Sequence, residues 1–353
     1  KVAVVLSNYF HIKGFEISLV SVNNIQEYRS LLSDDIKFYQ LVSGGAKKSI
    51  IEMRNLIYLL KPSIILSVSR SVNILTAFST FFITEKPKLF FRVEAPMTNL
   101  LSPFTFSNIV DLFLINIAYP FADKVIPNSN YTLQTMRRFY LFKKNHYSPI
   151  GNPVYLENKK SKYDLKQKLK IKNYKLILNI ARLSEEKDHF TLIKAFKLLK
   201  KRNDNVKLLI VGQGILKNTL TKKIKELELS NDIFFSTPQS DVTQYYDNAD
   251  IFVLTSIYEG FGNVIVEALS RGIPVVSTNS GSLVTQIFGD KINSYVAKIK
   301  DYKDVADKID YLLDNKKNDH YYKKLVKKFK KDFIGKEYQN ALGLSKIISK
   351  SKY

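Results

Sequence analysis

The chain has 353 residues, 45% hydrophobic and 25% charged, with 55 Lys+Arg against 32 Asp+Glu and a net charge of +23. That length exceeds one typical hydrophobic core, so two domains of roughly 150–200 residues each are expected. Cysteine is absent, which excludes a disulfide framework or thiolate metal site and makes a reducing cytoplasm the default compartment. The longest apolar stretches, Ala77–Ile83 and Ile109–Phe121, fall short of the roughly 18 residues a transmembrane helix needs.

The first half has strand-length apolar runs at Lys1–Leu6, Glu16–Val22, Ile36–Leu41, Ser63–Val68, Lys88–Val93, Lys124–Pro127 and Tyr147–Ile150. Only Ser7–Phe15 separates the first two, fewer residues than the dozen or so that a parallel crossover requires. Asn8–Gly14 reads as a helix end, with Lys13 in the last turn and Gly14 at the left-handed position. A loop and the front of a helix are therefore expected to be missing between about Ser7 and Asn8. Gly151-Asn152-Pro153 marks a turn or hinge, and the polar, lysine-rich Asn158–Lys170 that follows lacks an apolar core pattern. Further strands are expected at Lys175–Ile180, Lys207–Val211, Asp232–Phe235, Ile251–Leu254, Ile273–Ser277 and Ser294–Val296. Asp319–Tyr353 reads as basic amphipathic helices.

Several of these runs are unbroken Val, Ile, Leu and Phe, as parallel strands covered on both faces require. Strand–helix alternation seen twice gives an α/β chain with two doubly wound sheets. The expected division is 1–152, 153–330 and a helical tail, 331–353, packing back toward the first domain.

Three segments of the second half carry chemistry. Ile180–Asp188 follows a strand and contains Arg182 and Lys187, which can converge on a diphosphate as a fork and a point charge. A solvated loop with a Glu–Lys pair would look the same in isolation. Gly212 and Gly214 end another strand, where missing side chains let backbone approach a ligand. Glycines also end many strands without one. Thr255–Glu267 places Glu259 and Glu267 eight apart across a glycine loop that opens a helix, a natural anion site. Glu259 can accept from sugar hydroxyls and Glu267 from the vicinal hydroxyls of a ribose. A capped helix with acids favoured by its dipole explains one glutamate, but not the glycines, spacing and basic loop together.

Together these segments resemble the retaining GT-B glycosyltransferases of family 4, whose donor site combines an R-x-x-x-x-K loop, a G-x-G turn and an E-x7-E element. Tyr258–Gly262 and Ala268–Val276 are similar to the family almost residue for residue, and the likeness is tight over Leu178–Ser277. The resemblance implies a GT-B fold, two facing Rossmann-like sheets with a cleft between them. It makes 1–152 the acceptor side and 153–330 the nucleotide-sugar-binding domain. It also implies that Glu259 contacts the donor sugar, Glu267 the ribose, and Arg182 with Lys187 the diphosphate, while loop amides of Phe261, Gly262, Asn263 and Val264 hold sugar and phosphate.

The first half departs from the family. The glycine-rich loop that usually follows the first strand is the part inferred to be missing. The usual histidine after a middle strand is replaced by Arg92-Val93-Glu94-Ala95-Pro96-Met97-Thr98-Asn99. Glu94, Thr98 or Asn99 can serve the sugar or acceptor, and a plain turn fits them equally well. His11, His146, His189 and His320 all read as structural or exposed. Ser129, after a stretch similar to a family signature, is physically a helix N-cap.

No Asp-x-Asp triplet occurs, so no metal or other cofactor is expected, and leaving-group charge would fall on Arg182, Lys187 and the amides near Gly262. The expected partners are a nucleotide-sugar donor, UDP favoured, and a glycan or polyprenyl-linked acceptor of the bacterial surface-glycan kind, such as lipopolysaccharide. The positive charge fits either biased composition or an anionic membrane surface, and nucleic acid is not expected because no motif accompanies the charge. Phe104–Phe121 fits a core helix or a lipid-facing one. The expected location is cytoplasmic, peripheral on the inner face of the membrane. The rival readings are a nucleotide-sugar 2-epimerase and a non-catalytic basic binding protein of transferase descent.

Overall fold

A computed structural model describes residues 1–22, 29–41, 46–96, 106–139, 147–154, 161, 163–239, 242–281, 283–289 and 292–344. Thr98, Asn99 and His146 lie outside them. The chain forms two units, one of Lys1–Pro153 with Phe329–Tyr353 and one of Val154–Lys328.

The first unit runs α1 (Val2–Ile12), β1 (Ser18–Ser21), β2 (Lys37–Gln40), α2 (Ala46–Leu60), β3 (Ile64–Ser67), α3 (Arg70–Ser79), β4 (Lys88–Val93), α4 (Phe106–Ala118), β5 (Lys124–Pro127) and α5 (Asn130–Phe139). β1 and β2 form a parallel pair, and β3, β4 and β5 form a parallel sheet in that order. β4 is central because Leu89–Val93 are all buried, as a strand covered on both faces must be. Phe91 packs with Ala77 of α3, Ile115 of α4 and Met136 of α5. Ser129 caps α5, its Oγ accepting from the amide of Thr132 at 3.1 Å.

The opening of the chain corrects two expectations. Lys1–Leu6 is not a strand: α1 runs unbroken from Val2 through Ser7 and Asn8 to Ile12. Consecutive apolar residues suggested a strand, yet Val4, Val5, Leu6, Tyr9 and Phe10 are all buried by the helix. The helix end was legible, since Gly14 has φ of +85°, a conformation that glycine adopts without strain. Because α1 is continuous across Ser7 and Asn8, no crossover has to be fitted between them, and the gap inferred there disappears. Tyr147–Ile150 is also less than a strand: Tyr147 forms one bridge to Val125, and the amides of Ser148 and Ile150 donate to Val125 and Pro127 carbonyls.

The second unit runs α6 (Leu165–Lys168), β6 (Lys175–Ile180), α7 (His189–Arg202), β7 (Val206–Val211), α8 (Lys217–Glu226), β8 (Ile233–Ser236), α9 (Thr243–Asn248), β9 (Ile251–Leu254), α10 (Asn263–Ser270), β10 (Val275–Thr278), α11 (Leu283–Phe288), α12 (Ile292–Tyr295), β11 (Val296–Ala297), α13 (Tyr302–Asp314) and α14 (Asp319–Leu325). Its six strands are parallel in the order β11-β10-β9-β6-β7-β8. The chain builds outward from β6 to β8 and then returns to the other side of β6 with β9. Order therefore reverses between β6 and β9, and open α/β sheets bind ligands at the carboxyl ends of the strands flanking such a point. The supposedly coreless Asn158–Lys170 contributes α6, where Leu165 is buried and Asp164 caps the helix by accepting from the Gln167 amide at 2.8 Å.

After α14 the chain returns to the first unit as α15 (Lys331–Ala341). A Cβ on Gly335 would lie 2.6 Å from the ring of Tyr9, so only glycine lets α15 lie this close to α1. Buried Arg92 of β4 donates from Nε to Tyr338 Oη of α15 at 2.9 Å and from Nη2 to Asn152 Oδ1 beside Pro153.

Candidate active site

The loops after β6 and β9 meet at the point where strand order reverses. Lys187 Nζ lies 2.6 Å from Glu259 Oε1, and both side chains are largely buried. Ser256 Oγ donates to the same oxygen at 2.6 Å, so that carboxylate oxygen is fixed by an ammonium and a hydroxyl. Such charge-assisted contacts are stronger than neutral ones. The loops are also joined through backbone groups: the Ile257 amide donates to Glu186 O at 2.8 Å, and the hydroxyl of buried Thr255 is shared between the carbonyls of Lys187 and Asp188.

Arg182 stands differently. Its side chain is 78% exposed and pairs with Glu186 Oε1 at 2.9 Å. Ser184 Oγ also donates to Glu186 at 2.7 Å. Burial works to raise the Glu186 carboxyl, but these hydrogen bonds and the charges of Arg182 and Lys187 outweigh it and hold the group below its ordinary value. Glu186 thus stays a carboxylate, paired with Arg182 and stabilised by the nearby charge of Lys187.

The glycines have a structural task as well. A Cβ on Gly212 would fall 1.9 Å from the carbonyl oxygen of Ala181, and one on Gly214 would fall 2.3 Å from that of Leu183. The Leu183 amide donates to Gln213 O at 2.8 Å, and Leu216 donates to Leu183 O at 3.1 Å. What these glycines approach closely is the basic loop itself, which they seat against the end of β7.

Gly262 has φ of +77° and caps α10. This left-handed entry aims the first-turn amides of Asn263 and Val264 out of the helix end. Phe261 is buried and anchors the loop. Glu267 lies about a turn into α10, is also buried, and accepts from Tyr246 Oη at 2.9 Å.

The fold thus brings Arg182, Lys187, Gly212, Gly214, Glu259, Phe261–Val264 and Glu267 onto neighbouring loops of one sheet. Glu94 belongs to the first unit, at the end of β4, where it pairs with buried Arg92 at 2.5 Å. Ser256, Glu186 and Tyr246 are site neighbours that sequence reasoning did not select. Ser256 and Glu186 sit inside quoted motifs and are detectable there as polar residues at strand-end loops. Tyr246 lies 21 residues from its partner, and no local pattern marks it. α4 turns Ile115 and Ala118 into the core while Ile109, Val110 and Phe113 stay exposed, so it is a core helix with an apolar outer face. Among the described residues no helix is long and apolar enough to cross a membrane.

Residues 161–329 match the family model for glycosyl transferases group 1. A Campylobacter jejuni relative, N-acetylgalactosamine-N,N'-diacetylbacillosaminyl-diphospho-undecaprenol 4-alpha-N-acetylgalactosaminyltransferase, is 30% identical over 65% of this chain and 61% of its own length. The capsular polysaccharide biosynthesis glycosyltransferase CapM of Staphylococcus aureus is 26% identical over 76% of this chain and 72% of its own. Matches to glycosyltransferases of Methanocaldococcus jannaschii and Haemophilus influenzae span 35% and 47% of those proteins, so the chain covers under two thirds of several curated relatives. Among solved structures, Anabaena HepE in complex with UDP and glucose superposes with a TM-score of 0.81 at 18% identity, over 97% of this chain and 95% of that one. The chain has a GT-B fold, and its segment 161–329 matches the family model for glycosyl transferases group 1.

Proposed function

We propose that the protein transfers a sugar, with retention of anomeric configuration, from a nucleotide-diphosphate donor to a glycan or polyprenyl-linked acceptor. The observation that carries this reading is the convergence of Lys187 and Glu259, 2.6 Å apart, on loops either side of the strand-order reversal. In this reading Arg182, Lys187 and the amides of Gly262–Val264 take the diphosphate, Glu259 orients the donor sugar, and Glu267 takes the ribose. UDP is the favoured nucleotide, supported by the UDP bound in HepE. The diphospho-undecaprenol substrate named for the Campylobacter relative supports a lipid-linked acceptor.

Transfer proceeds on one face of the sugar. The bond from the anomeric carbon to the phosphate oxygen breaks, and the acceptor oxygen bonds to the same face. The hydroxyl proton passes to the departing phosphate oxygen. Developing charge on that phosphate is balanced by Arg182, Lys187 and the helix amides, a preorganised electrostatic site. We assign this task to protein groups rather than to a metal, on the absence of an Asp-x-Asp triplet.

The net charge of +23 and the apolar outer face of α4 support a peripheral position on an anionic membrane on the cytoplasmic side. Incubation with UDP-sugars and a polyprenyl-diphosphate saccharide, with the product read by NMR, tests the reading. An α-linked product from an α-linked donor supports it, whereas a β-linked product or a freed 2-epimeric sugar overturns it.

A further inference from the structure

Glu267 is held from outside its own helix. Tyr246 of α9 is fully buried, and its hydroxyl donates to Glu267 Oε2 at 2.9 Å. The next residue, Asp247, accepts from Arg271 Nε at 2.8 Å, and Arg271 closes α10. Glu267 and Arg271 are four apart and lie on one side of α10. Two successive residues of α9 therefore grip two successive turns of the helix that opens at Gly262.

Packing alone does not call for this hydroxyl. The Tyr246 ring lies against Phe252 of β9, with centroids 5.9 Å apart, and phenylalanine would fill the same volume. A carboxylate as buried as that of Glu267 is costly unless it is hydrogen-bonded. Its terminal torsion is intrinsically broad, so without a fixed donor the carboxylate plane is poorly defined. Burial, and then the charge and hydrogen bond of Glu267, push the Tyr246 hydroxyl well above its ordinary value. It therefore remains a donor throughout the physiological range.

We propose that Tyr246 is a positioning residue for nucleoside recognition, fixing one oxygen of Glu267 so that the carboxylate is set to accept from the vicinal ribose hydroxyls of the donor. This rests on the reading of Glu267 given above. A pre-set acceptor loses less freedom when the ligand arrives, and a hydrogen bond to a charged group is among the stronger ones. The consequence is specific to ribose: Tyr246 affects only ligands that carry the hydroxyls.

The test is calorimetric titration of the wild-type chain and Tyr246→Phe with UDP and with 2′,3′-dideoxy-UDP. The expected result is that Tyr246→Phe binds UDP roughly tenfold more weakly and binds the dideoxy nucleotide as the wild type does. With a UDP-sugar as substrate, KM rises by the same factor and kcat changes little. In a Glu267→Ala background, Tyr246→Phe produces no further loss. A purely structural tyrosine would weaken both nucleotides equally or neither, and either result overturns the inference. If Tyr246→Phe does not fold, Glu267→Gln takes its place and is expected to lose the ribose preference while keeping dideoxy-UDP; a retained preference overturns the proposal. A wild-type chain that binds neither nucleotide overturns the donor-site reading itself, which is a different failure.

Discussion

The Lys187 ammonium and the Glu259 carboxylate lie 2.6 Å apart, and each side chain is less than 15% exposed. Removing one partner of such a pair leaves the other charge partly buried and unmatched, which costs about 1–3 kcal/mol. Lys187→Ala is therefore expected to lower both stability and kcat/KM, the latter by at least about 10²-fold. Lys187→Met with Glu259→Gln removes both charges at once and should restore most of the stability without restoring turnover. Urea unfolding and donor kinetics on the three proteins check this; recovery of activity in the double variant would show that the pair is structural only.

Gly212→Ala is expected to unfold or strongly loosen the second unit. The added methyl would sit 1.9 Å from Ala181 O, and the neighbour is backbone that cannot rotate away. Overpacking at rigid sites costs about 1–3 kcal/mol and sometimes more. A urea midpoint equal to that of the wild type would contradict the close approach.

Much of the second unit was legible because its strands are short, largely apolar runs set between longer helical patterns. Lys175–Ile180 and Ile251–Leu254 were read to the residue. The opening of the first unit was not, because Val2–Leu6 is as apolar as a strand while forming a helix buried on more than one side. Period cannot separate those two cases in so short a run. At the site, residues on one loop could be read from spacing, as Gly262 and Glu267 were. The Lys187–Glu259 pair spans 72 residues and the Tyr246–Glu267 pair 21; both depend on strand order, which the pattern of runs does not specify.

His189 gives the chain an acid-sensitive point. It begins α7, is fully buried, and neither ring nitrogen has a hydrogen-bond partner. Burial lowers its pKa to about 4, with the Asp188 charge opposing and Lys187 adding. Unfolded histidine titrates near 6.5, so between roughly pH 6.5 and 4 the unfolded state binds the proton that the folded state refuses. Stability is then complete above about pH 6.5 and falls as pH drops, by about 3 kcal/mol at pH 4. His189→Leu should keep its stability at pH 7 and show a shallower acid loss in urea midpoints over that range. An unchanged pH profile would show that His189 is charged or solvated in the folded protein.

Glu94 pairs with the fully buried Arg92 at 2.5 Å, while its own side chain is half exposed. Arg92 also holds Tyr338 and Asn152, so Glu94→Gln leaves it hydrogen-bonded but removes the carboxylate charge beside a fully buried guanidinium, and should cost about 1–3 kcal/mol. If Glu94 acts at the sugar, the same variant should cut kcat strongly and leave nucleotide affinity almost unchanged, since the proposed donor site holds the nucleotide on loops of the second unit. Retained kcat would assign Glu94 to the support of Arg92 alone.

If the loops after β6 and β9 bind a nucleoside diphosphate, Arg182 is the side chain whose removal shows it most cleanly. Its side chain is 78% exposed and its pair with Glu186 is a surface one, so Arg182→Ala should leave the melting temperature within a degree or so. Calorimetric titration of UDP and GDP into the wild type and Arg182→Ala is the direct measurement. The expected result is saturable binding of one nucleotide to the wild type, weakened at least roughly tenfold in an equally stable Arg182→Ala. Equal affinity in the two proteins, or no binding of either nucleotide by the wild type at millimolar concentration, would contradict it.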